Sequence, residues 1–451
     1  MATRDDRDTI AAVATAAGAA GVGIVRLSGP RAIAIAQALA GARLRPRHAH
    51  YLRFLDADGG IIDDGIALSF PAPRSYTGED VVELQAHGSP VLLAQLLRRC
   101  IALGARIARP GEFTERAFLE GRLDLAQAEA VADLIHAGSA AAARAARRSL
   151  DGEFSRAVLG VAEALAQLRM HVEAAFDFPD EDIDVLATPA LAARLAGVRD
   201  ALSDLRGRAE RGRRLVDGLH VVIAGAPNVG KSSLLNALVA EDRAIVSATA
   251  GTTRDLLREP LVLDGVALTL VDTAGLHASA DSLEAEGMRR ARAELSRADL
   301  VLAVLDAGAP SAASRAALAA ELPAGVAVLW LCNKSDLAPG THAGARPDVA
   351  EALSVSARTG DGLDALRDRL RAAAGEEPGA TGSFSARTRH LDALDRCAAA
   401  LAAGASRLTA GQGELAAEDL RLAQAALGEV TGRVDADVLL GRIFAGFCIG
   451  K

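Results

Sequence analysis

Lysine and asparagine are nearly missing from this chain of 451 residues. Only three of its 50 basic residues are lysine (Lys231, Lys334, Lys451), and asparagine occurs only at Asn228, Asn236 and Asn333. Arginine fills the other basic positions, the mark of a GC-rich coding bias, so the survivors sit where arginine or aspartate would not serve. Aromatic residues make up 3%, which favours closely packed alanine-rich helices over an aromatic-rich β-sandwich. Cys100, Cys332, Cys397 and Cys448 form no CxxC pair and no Cys/His spacing suited to zinc. Neither a disulfide scaffold nor a structural zinc finger is expected, and a reducing, cytoplasmic setting is. No apolar run approaches the length of a bilayer span, so no membrane partner is expected. The uncharged run 10–25 follows Arg4-Asp5-Asp6-Arg7-Asp8, whose acidic excess has the wrong sign for a secretion signal. A net charge of −8 gives no global nucleic-acid footprint. Half the residues are hydrophobic, enough to bury the cores of about two to four domains.

Residues 1–119 mix short alternating runs (Val22–Leu27, Gly65–Phe70, Val81–Gln85) with helical stretches at 30–40 and 89–103, the pattern of an α+β domain. From 120 to 215 the periodicity is helical, broken at the acidic turn 177–182. Apolar runs at 221–225, 268–272, 299–305, 326–332 and 352–355 then alternate with helical patterns, as parallel α/β units require. A Gly/Glu/Pro-rich linker at 375–382 precedes a second helical region. The expected fold class is multidomain α/β. An N-terminal α+β domain (1–119) precedes an all-α helical domain made of 120–215 and 379–451, into which an α/β domain (216–378) is inserted.

The strand Val221–Ala224 leads into Gly225-Ala-Pro-Asn-Val-Gly230-Lys231-Ser232, a GxxxxGK[ST] loop between strand and helix. Backbone N–H groups of such a loop wrap phosphates, and the following helix N-terminus adds a favourable dipole. Asn228, Val229, Gly230, Lys231, Ser232 and Ser233 are therefore nucleotide contacts, with Lys231 on the β/γ-phosphates and Ser232 on Mg²⁺. Asn333-Lys334-Ser335-Asp336 follows a later strand. The Asp336 carboxylate accepts from guanine N1–H and the exocyclic amine, a donor pair adenine lacks, while the Lys334 stem packs over the ring. Leaving such donors unpaired costs about 1–3 kcal/mol each. Ser356-Ala357-Arg358 matches a loop whose backbone supports base O6, and Asp272-Thr273-Ala274-Gly275 ends another strand as a Mg²⁺- and γ-phosphate-sensing turn. In this order the motifs point to a Ras-like GTPase domain binding GTP.

Ras-like proteins place a glutamine after the DTAG glycine, but here the position is Leu276, which cannot orient water. The segment Ser247-Ala248-Thr249-Ala250-Gly251-Thr252-Thr253 is a polar switch region in which Thr253 is the Mg²⁺ ligand. Asn228, with loop carbonyls from 247 and 249, can hold K⁺ where an arginine finger would otherwise sit. Asp281, Glu284 and Glu286 are all candidates to polarise water, and spacing does not choose among them.

With these motifs, Gly21-Val-Gly-Ile-Val-Arg26, Tyr76-Thr-Gly-Glu-Asp-Val-Val-Glu83, Arg109-Pro-Gly-Glu-Phe-Thr-Glu-Arg, Leu123-Asp-Leu-Ala-Gln-Ala-Glu-Ala and the end Phe447-Cys448-Ile-Gly-Lys451 resemble the MnmE (TrmE) family of tRNA-modification GTPases along essentially the whole chain. The resemblance implies an N-terminal folate-binding-like domain, a helical domain and an inserted GTPase domain. It implies a homodimer that works with the flavoprotein MnmG in a hetero-oligomer, FAD residing only on that partner. Together they would add an aminomethyl or carboxymethylaminomethyl group to C5 of the wobble uridine of certain tRNAs. The carbon would come from a tetrahydrofolate derivative in its 5-formyl or 5,10-methylene form. Residue by residue, it implies K⁺ at Asn228, Ser247, Thr249 and Thr252, Mg²⁺ at Ser232 and Thr253, and Glu284 as the catalytic glutamate. It also implies folate contacts at Arg26, Glu83, Arg122 and Lys451. The segment 15–21 departs from the Pro/Gly/Arg-rich stretch usual there. A regulatory GTPase that binds RNA or ribosomes without modifying them is the rival reading, but 384–451 shows no KH-type GxxG loop.

Blander readings stand beside these. Cys448 is a candidate reactive thiol or else a small buried residue, and His87 is a structural histidine before it is a catalytic one. Arg206, Arg208, Arg211, Arg213 and Arg214 would meet tRNA phosphates or form a solvated helix face.

Overall fold

The computed structural model describes residues 8–177, 189–240, 258–263, 266–272, 292–308, 312–337, 352–374 and 383–432, with Ile443, Phe444, Phe447 and Gly450. For 175–177, 239–240 and the strands within 258–272, apart from Leu268, the backbone alone is described. The chain divides into two compact units, 1–132 with 425–451, and 133–424.

The first unit holds β1 (Ile10–Val13), β2 (Ala20–Ser28), α1 (Ala32–Ala40), β3 (His50–Leu55), β4 (Ile61–Phe70), β5 (Val81–Gly88), α2 (Pro90–Ala102), β6 (Arg106–Ile107) and α3 (Glu112–Leu119). The uncharged run 10–25 thus becomes two antiparallel strands, β1 and β2, paired Ile10 to Ser28 through Val13 to Val25. The six-stranded sheet has the order β3-β4-β5-β2-β1-β6. Strand side chains alternate between faces. Val25 and Leu27 of β2 and Val82, Leu84 and Ala86 of β5 face the core with Ile35 and Leu39 of α1 and Leu93 and Leu96 of α2. Arg26 and Glu83, register partners on the same two strands, therefore point to the opposite face. Helix α2 starts at an extended Ser89 followed by Pro90, whose missing N–H costs nothing in the first turn.

Beside the sheet lies a buried ionic network. The Arg116 guanidinium meets Glu79 at 3.0 Å, Glu112 at 3.0 Å and Asp8 at 2.8 Å. Arg106 donates to both Glu112 oxygens at 2.8 and 2.5 Å, and Ser28 Oγ donates to Glu79 Oε2 at 2.7 Å. Burial raises the Glu112 carboxyl, but hydrogen bonds from Arg106, the Arg109 N–H and Arg116 outweigh it and hold it at about 2.

Helices α4 (Leu125–His136), α5 (Ala140–Leu150), α6 (Glu153–Asp177) and α7 (Pro189–Asp217) follow. Helix α4 opens on a reciprocal cap in which Asp124 Oδ1 accepts from the Gln127 N–H at 2.9 Å and Gln127 Oε1 accepts from the Asp124 N–H at 3.0 Å. Ser139 Oγ caps α5 by accepting from the Ala142 N–H.

From α7 the chain enters β7 (Leu219–Ala224), α8 (Lys231–Ala240), β8 (Arg258–Leu263), β9 (Val266–Asp272), β10 (Leu300–Asp306), α9 (Ala312–Glu321), β11 (Ala327–Asn333), β12 (Leu353–Ser354) and α10 (Leu363–Ala373). The second sheet has the order β12-β11-β10-β7-β9-β8. Its pairs are parallel except β8 with β9. Both faces are covered, so the central strands β7 and β10 are apolar along most of their length. Val221, Ile223, Leu302 and Val304 pack with Leu234 and Leu238 of α8 and Leu366 and Leu370 of α10. Val222, Ala224, Val301 and Ala303 pack on the other side with Leu318 of α9. Strand β8 did not stand out in the sequence because Arg258-Glu-Pro interrupts it, and Pro260 is tolerated because β8 is an edge.

After α10 the chain returns past α5 and α7. Ser385 N donates to Ala145 O at 3.1 Å and Ser149 Oγ to Ser385 O at 3.0 Å. Gly212 of α7 allows the Phe384 carbonyl in, since a Cβ there would lie 1.9 Å from that oxygen. Helices α11 (Thr388–Thr409) and α12 (Gly413–Thr431) complete the described residues' regular structure. Among the described residues, no helix is long and apolar enough to cross a membrane. The expected class, a multidomain α/β protein with an α+β region, helices and a largely parallel α/β sheet, is the one observed.

Candidate functional site

The site lies where the sheet topology creates a crevice. In the order β12-β11-β10-β7 the carboxyl ends of three adjacent parallel strands, β7, β10 and β11, all open on the same edge. Ligands of open α/β sheets bind outside such ends. The loop after β7 is Gly225–Gly230. A Cβ on Gly225 would lie 2.4 Å from Val304 O, and one on Gly230 (φ 92°) would lie 2.3 Å from Asn333 Nδ2. Only glycine lets the loop approach its neighbours this closely. Lys231 begins α8 and is 5% exposed. Its ammonium donates to Gly225 O at 2.7 Å and Ala226 O at 2.8 Å, so the charge sits against the concave side of the loop. Ser232 and Ser233 are exposed in the first helical turn, and Asn228 is exposed at φ 63°.

Asn333 knits three loops together. It is 1% exposed, its Nδ2 donates to Val229 O at 2.9 Å, and its Oδ1 accepts from the Ala357 N–H at 3.1 Å. Ser356 Oγ donates to Asp336 Oδ1 at 2.8 Å, which holds one carboxylate oxygen while the group lines the cavity. Gly230, Ser233, Lys334, Asp336, Ala357 and Arg358 are among the residues enclosing that cavity of about 450 Å³, a volume suited to a small ligand. The 3₁₀ turn Ser335–Leu337 and the tight loop 356–361 present these groups.

The structure therefore brings Gly230, Lys231, Ser233, Asn333, Lys334, Asp336, Ala357 and Arg358 to one crevice. Asp272 closes β9, with only its backbone described. Ser247, Ala248, Thr249, Ala250, Gly251, Thr252, Thr253, Thr273, Ala274, Gly275 and Glu284 lie outside the described residues, as do Cys448 and Lys451. Two residues at the crevice escaped the sequence reading. Leu337 forms part of the cavity wall and is 65% exposed. Asp306, at the end of β10, accepts from Lys334 Nζ at 2.7 Å. An Asp closing a buried-strand run was the signal available for the second.

In the first unit, Arg26 donates from Nε and Nη2 to Glu83 Oε1 at 3.1 and 2.8 Å. Its Nη1 donates to Gly450 O at 3.4 Å, beside the chain's end. The guanidinium also lies 5.6 Å from the Tyr76 ring centroid and 5.8 Å from that of Phe113. Arg122 is exposed, its Cγ 3.4 Å from where a Cβ on Gly78 would stand. The His87 ring lies 2.9 Å from Asp63; burial raises the Asp63 carboxyl, but hydrogen bonds from His87 and the Asp64 N–H outweigh it and hold it below its ordinary range. Among the candidate arginines of α7, Arg206 pairs with Asp395, and Arg208 lies 4.8 Å from the Phe384 ring centroid. Arg213 meets Asp299 at 2.5 Å and Arg214 meets Glu210 at 3.2 Å. Four of the five are thus engaged within their own unit. Cys100, Cys332 and Cys397 are buried free thiols, and burial pushes Cys100 and Cys397 up to about 12.

A family model described as the GTP-binding protein TrmE N-terminus matches residues 9–122, and one for the MnmE helical domain matches 125–448. The chain is 61% identical over 446 residues to the tRNA modification GTPase MnmE of Xanthomonas campestris pv. campestris (strain B100), covering 98% of this chain and 99% of that one. It is 55% identical over 446 residues to the protein of the same name from Xylella fastidiosa (strain Temecula1 / ATCC 700964), covering 98% of each. Among solved structures, a single-residue variant of Aquifex aeolicus Era bound to GDP.AlF4- is 26% identical, with a TM-score of 0.28 over 40% of this chain and 66% of that one. Two family models in order along one chain, and three-fifths identity over nearly the full length of such a relative, identify it as a member of the MnmE (TrmE) family of tRNA modification GTPases.

Proposed function

We propose that the protein is a K⁺-activated GTP hydrolase that modifies C5 of the wobble uridine of certain tRNAs together with a flavoprotein partner of the MnmG type. The observation that carries the nucleotide half is Asn333, whose amide joins the phosphate loop to the base loop and so sets Asp336 at a fixed distance from Lys231. Asp336 would accept from the two guanine donors, the Ala357 and Arg358 loop would face base O6, and Lys231 would exchange its loop carbonyls for phosphate oxygens. Ser232, exposed in the first turn of α8, has the position and chemistry of a Mg²⁺ ligand, with Thr253 the second. Bound there, the ion would neutralise phosphate charge.

Leu276 offers no group to orient water, so Glu284 would take that task and K⁺ at Asn228, Ser247, Thr249 and Thr252 the charge balance. The exposed Asn228 side chain suits this, since its left-handed backbone turns the residue out of the loop. Hydrolysis in Na⁺ should therefore run at least about tenfold slower than in K⁺, because losing one preorganised transition-state contact costs about 10²–10³ in rate. Steady-state phosphate release in the two salts measures this, and equal rates would remove the ion from the mechanism.

The Arg26–Glu83 pair, with the chain's end alongside, supports a tetrahydrofolate site completed by Arg122 and Lys451, as a guanidinium readily pairs a folate carboxylate. We assign this site to domain 1–119, acting as a homodimer, with the GTPase domain 216–378 inserted between helical parts 120–215 and 379–451. Cys448 is a candidate reactive thiol. The test is the nucleoside mass spectrum of tRNA from a strain lacking the protein. The wobble uridines should lose their C5 substituent and regain it on complementation; unchanged uridines would favour a regulatory RNA-binding GTPase.

A further inference from the structure

The central strand of the crevice, β10, carries no recognised nucleotide motif, yet it stands between the strand that feeds the phosphate loop and the strand that feeds the base loop. Its last residue, Asp306, is the register partner of Asn333. The Ala307 N–H donates to Asn333 O at 2.8 Å, so the two strand ends are tied together. One carboxylate oxygen of Asp306 accepts from the Gly308 N–H at 2.8 Å, which fixes the plane of the group. The other accepts from Lys334 Nζ at 2.7 Å. The Lys334 ammonium also lowers the Asp306 carboxyl below its ordinary range, the hydrogen bond being the larger cause.

Lys334 itself is in the left-handed region at φ 67° and lines the cavity, whereas Asp306 is not part of its wall. A lysine stem has four rotatable bonds and loses much rotamer freedom when it is fixed. The ion pair removes that freedom before any ligand arrives, which is how preorganisation raises affinity.

We infer that Asp306 is a positioning residue for guanine recognition, holding the Lys334 side chain as a ready-made wall over the base and ribose. The inference rests on the GTP-binding reading above and deepens it. Because Asp306 acts through Lys334 on the ring face, it contributes to affinity for guanine and hypoxanthine nucleotides alike. Asp336 alone reads the exocyclic amine.

The test uses the full chain and a fluorescent N-methylanthraniloyl GDP, with the inosine analogue in parallel. Asp306→Asn keeps an amide oxygen for the Gly308 N–H while abolishing the ionic partner of Lys334, so it isolates the pair from the loop. It should raise Kd for both nucleotides by the same factor of about 5–20, a coupling typical of directly bonded groups. Asp306→Glu should restore most of the loss. In a Lys334→Ala background, the added Asp306→Asn should change Kd by less than about twofold. Near-wild-type binding by Asp306→Asn, or an equal loss in the Lys334→Ala background, would overturn the inference. Failure of the unmutated protein to bind the GDP probe would instead sink the GTP-binding reading.

Discussion

Asp336→Asn should bind GTP about 10²–10⁴-fold more weakly than the unmutated chain and gain affinity for xanthosine triphosphate. The charge-assisted hydrogen bond to the guanine exocyclic amine would be lost and the one to N1–H reduced to a neutral bond, where charged bonds contribute about 1.5–3 kcal/mol each, and 1.4 kcal/mol is a factor of ten. An asparagine presents an N–H₂ where the carboxylate presented an acceptor, which repels the guanine amine and suits the xanthine C2 carbonyl. The exchange is close to isosteric, and its amide oxygen can still accept from the Ser356 hydroxyl that now bonds Asp336 Oδ1 at 2.8 Å. The loop should therefore persist, leaving recognition as the property that changes. Competitive titration with GTP, XTP and ATP reads the outcome. Retained GTP preference would mean that Asp336 does not read the base.

The second large effect is on stability. Arg116→Ala should destabilise the first unit by about 3–5 kcal/mol, the usual cost of removing one partner from a buried ionic network. Arg116 contacts Glu79, Glu112 and Asp8 together. Glu112 would retain Arg106, at 2.5 Å, whereas Glu79, 6% exposed, would lose its Arg116 partner while keeping the Ser28 hydroxyl. Calorimetry of the full chain should show the affected transition lowered by roughly 6–20 °C, and adding Glu79→Gln should recover part of the loss. An unshifted transition would show that the network contributes nothing net.

The same network sets an acid limit. The Glu112 carboxyl is lowered in the fold, from an ordinary 4.5 to about 2. Its contribution is therefore complete above the ordinary value and disappears as pH falls through about 2. Melting should decline between about pH 5 and 2, and Glu112→Gln should flatten that decline.

The GxxxxGK[ST] loop, the Asn333-Lys334-Ser335-Asp336 motif and the strand-helix alternation around them could be read directly from the chain, because each is a local pattern of a few residues. Strand β1 could not: Ile10–Val13 has no polar alternation of its own and becomes a strand through its ladder with β2. Arg116 was equally hidden. Its partners Glu79 and Asp8 lie 37 and 108 positions away, and nothing in Arg109-Pro-Gly-Glu-Phe-Thr-Glu-Arg116 announces a buried cation. Arg26 and Glu83, 57 positions apart, meet because their strands pair in one register.

By itself, then, the sequence determined which chemistry the chain can perform, since phosphate and guanine recognition need particular residue types at short, fixed spacings. The tertiary structure alone decided which charges are buried together and which strand ends share a crevice. It also set the Lys334 ammonium on Asp306. Those outcomes depend on strand order and register, which bring together residues far apart in the chain when whole elements pack against one another.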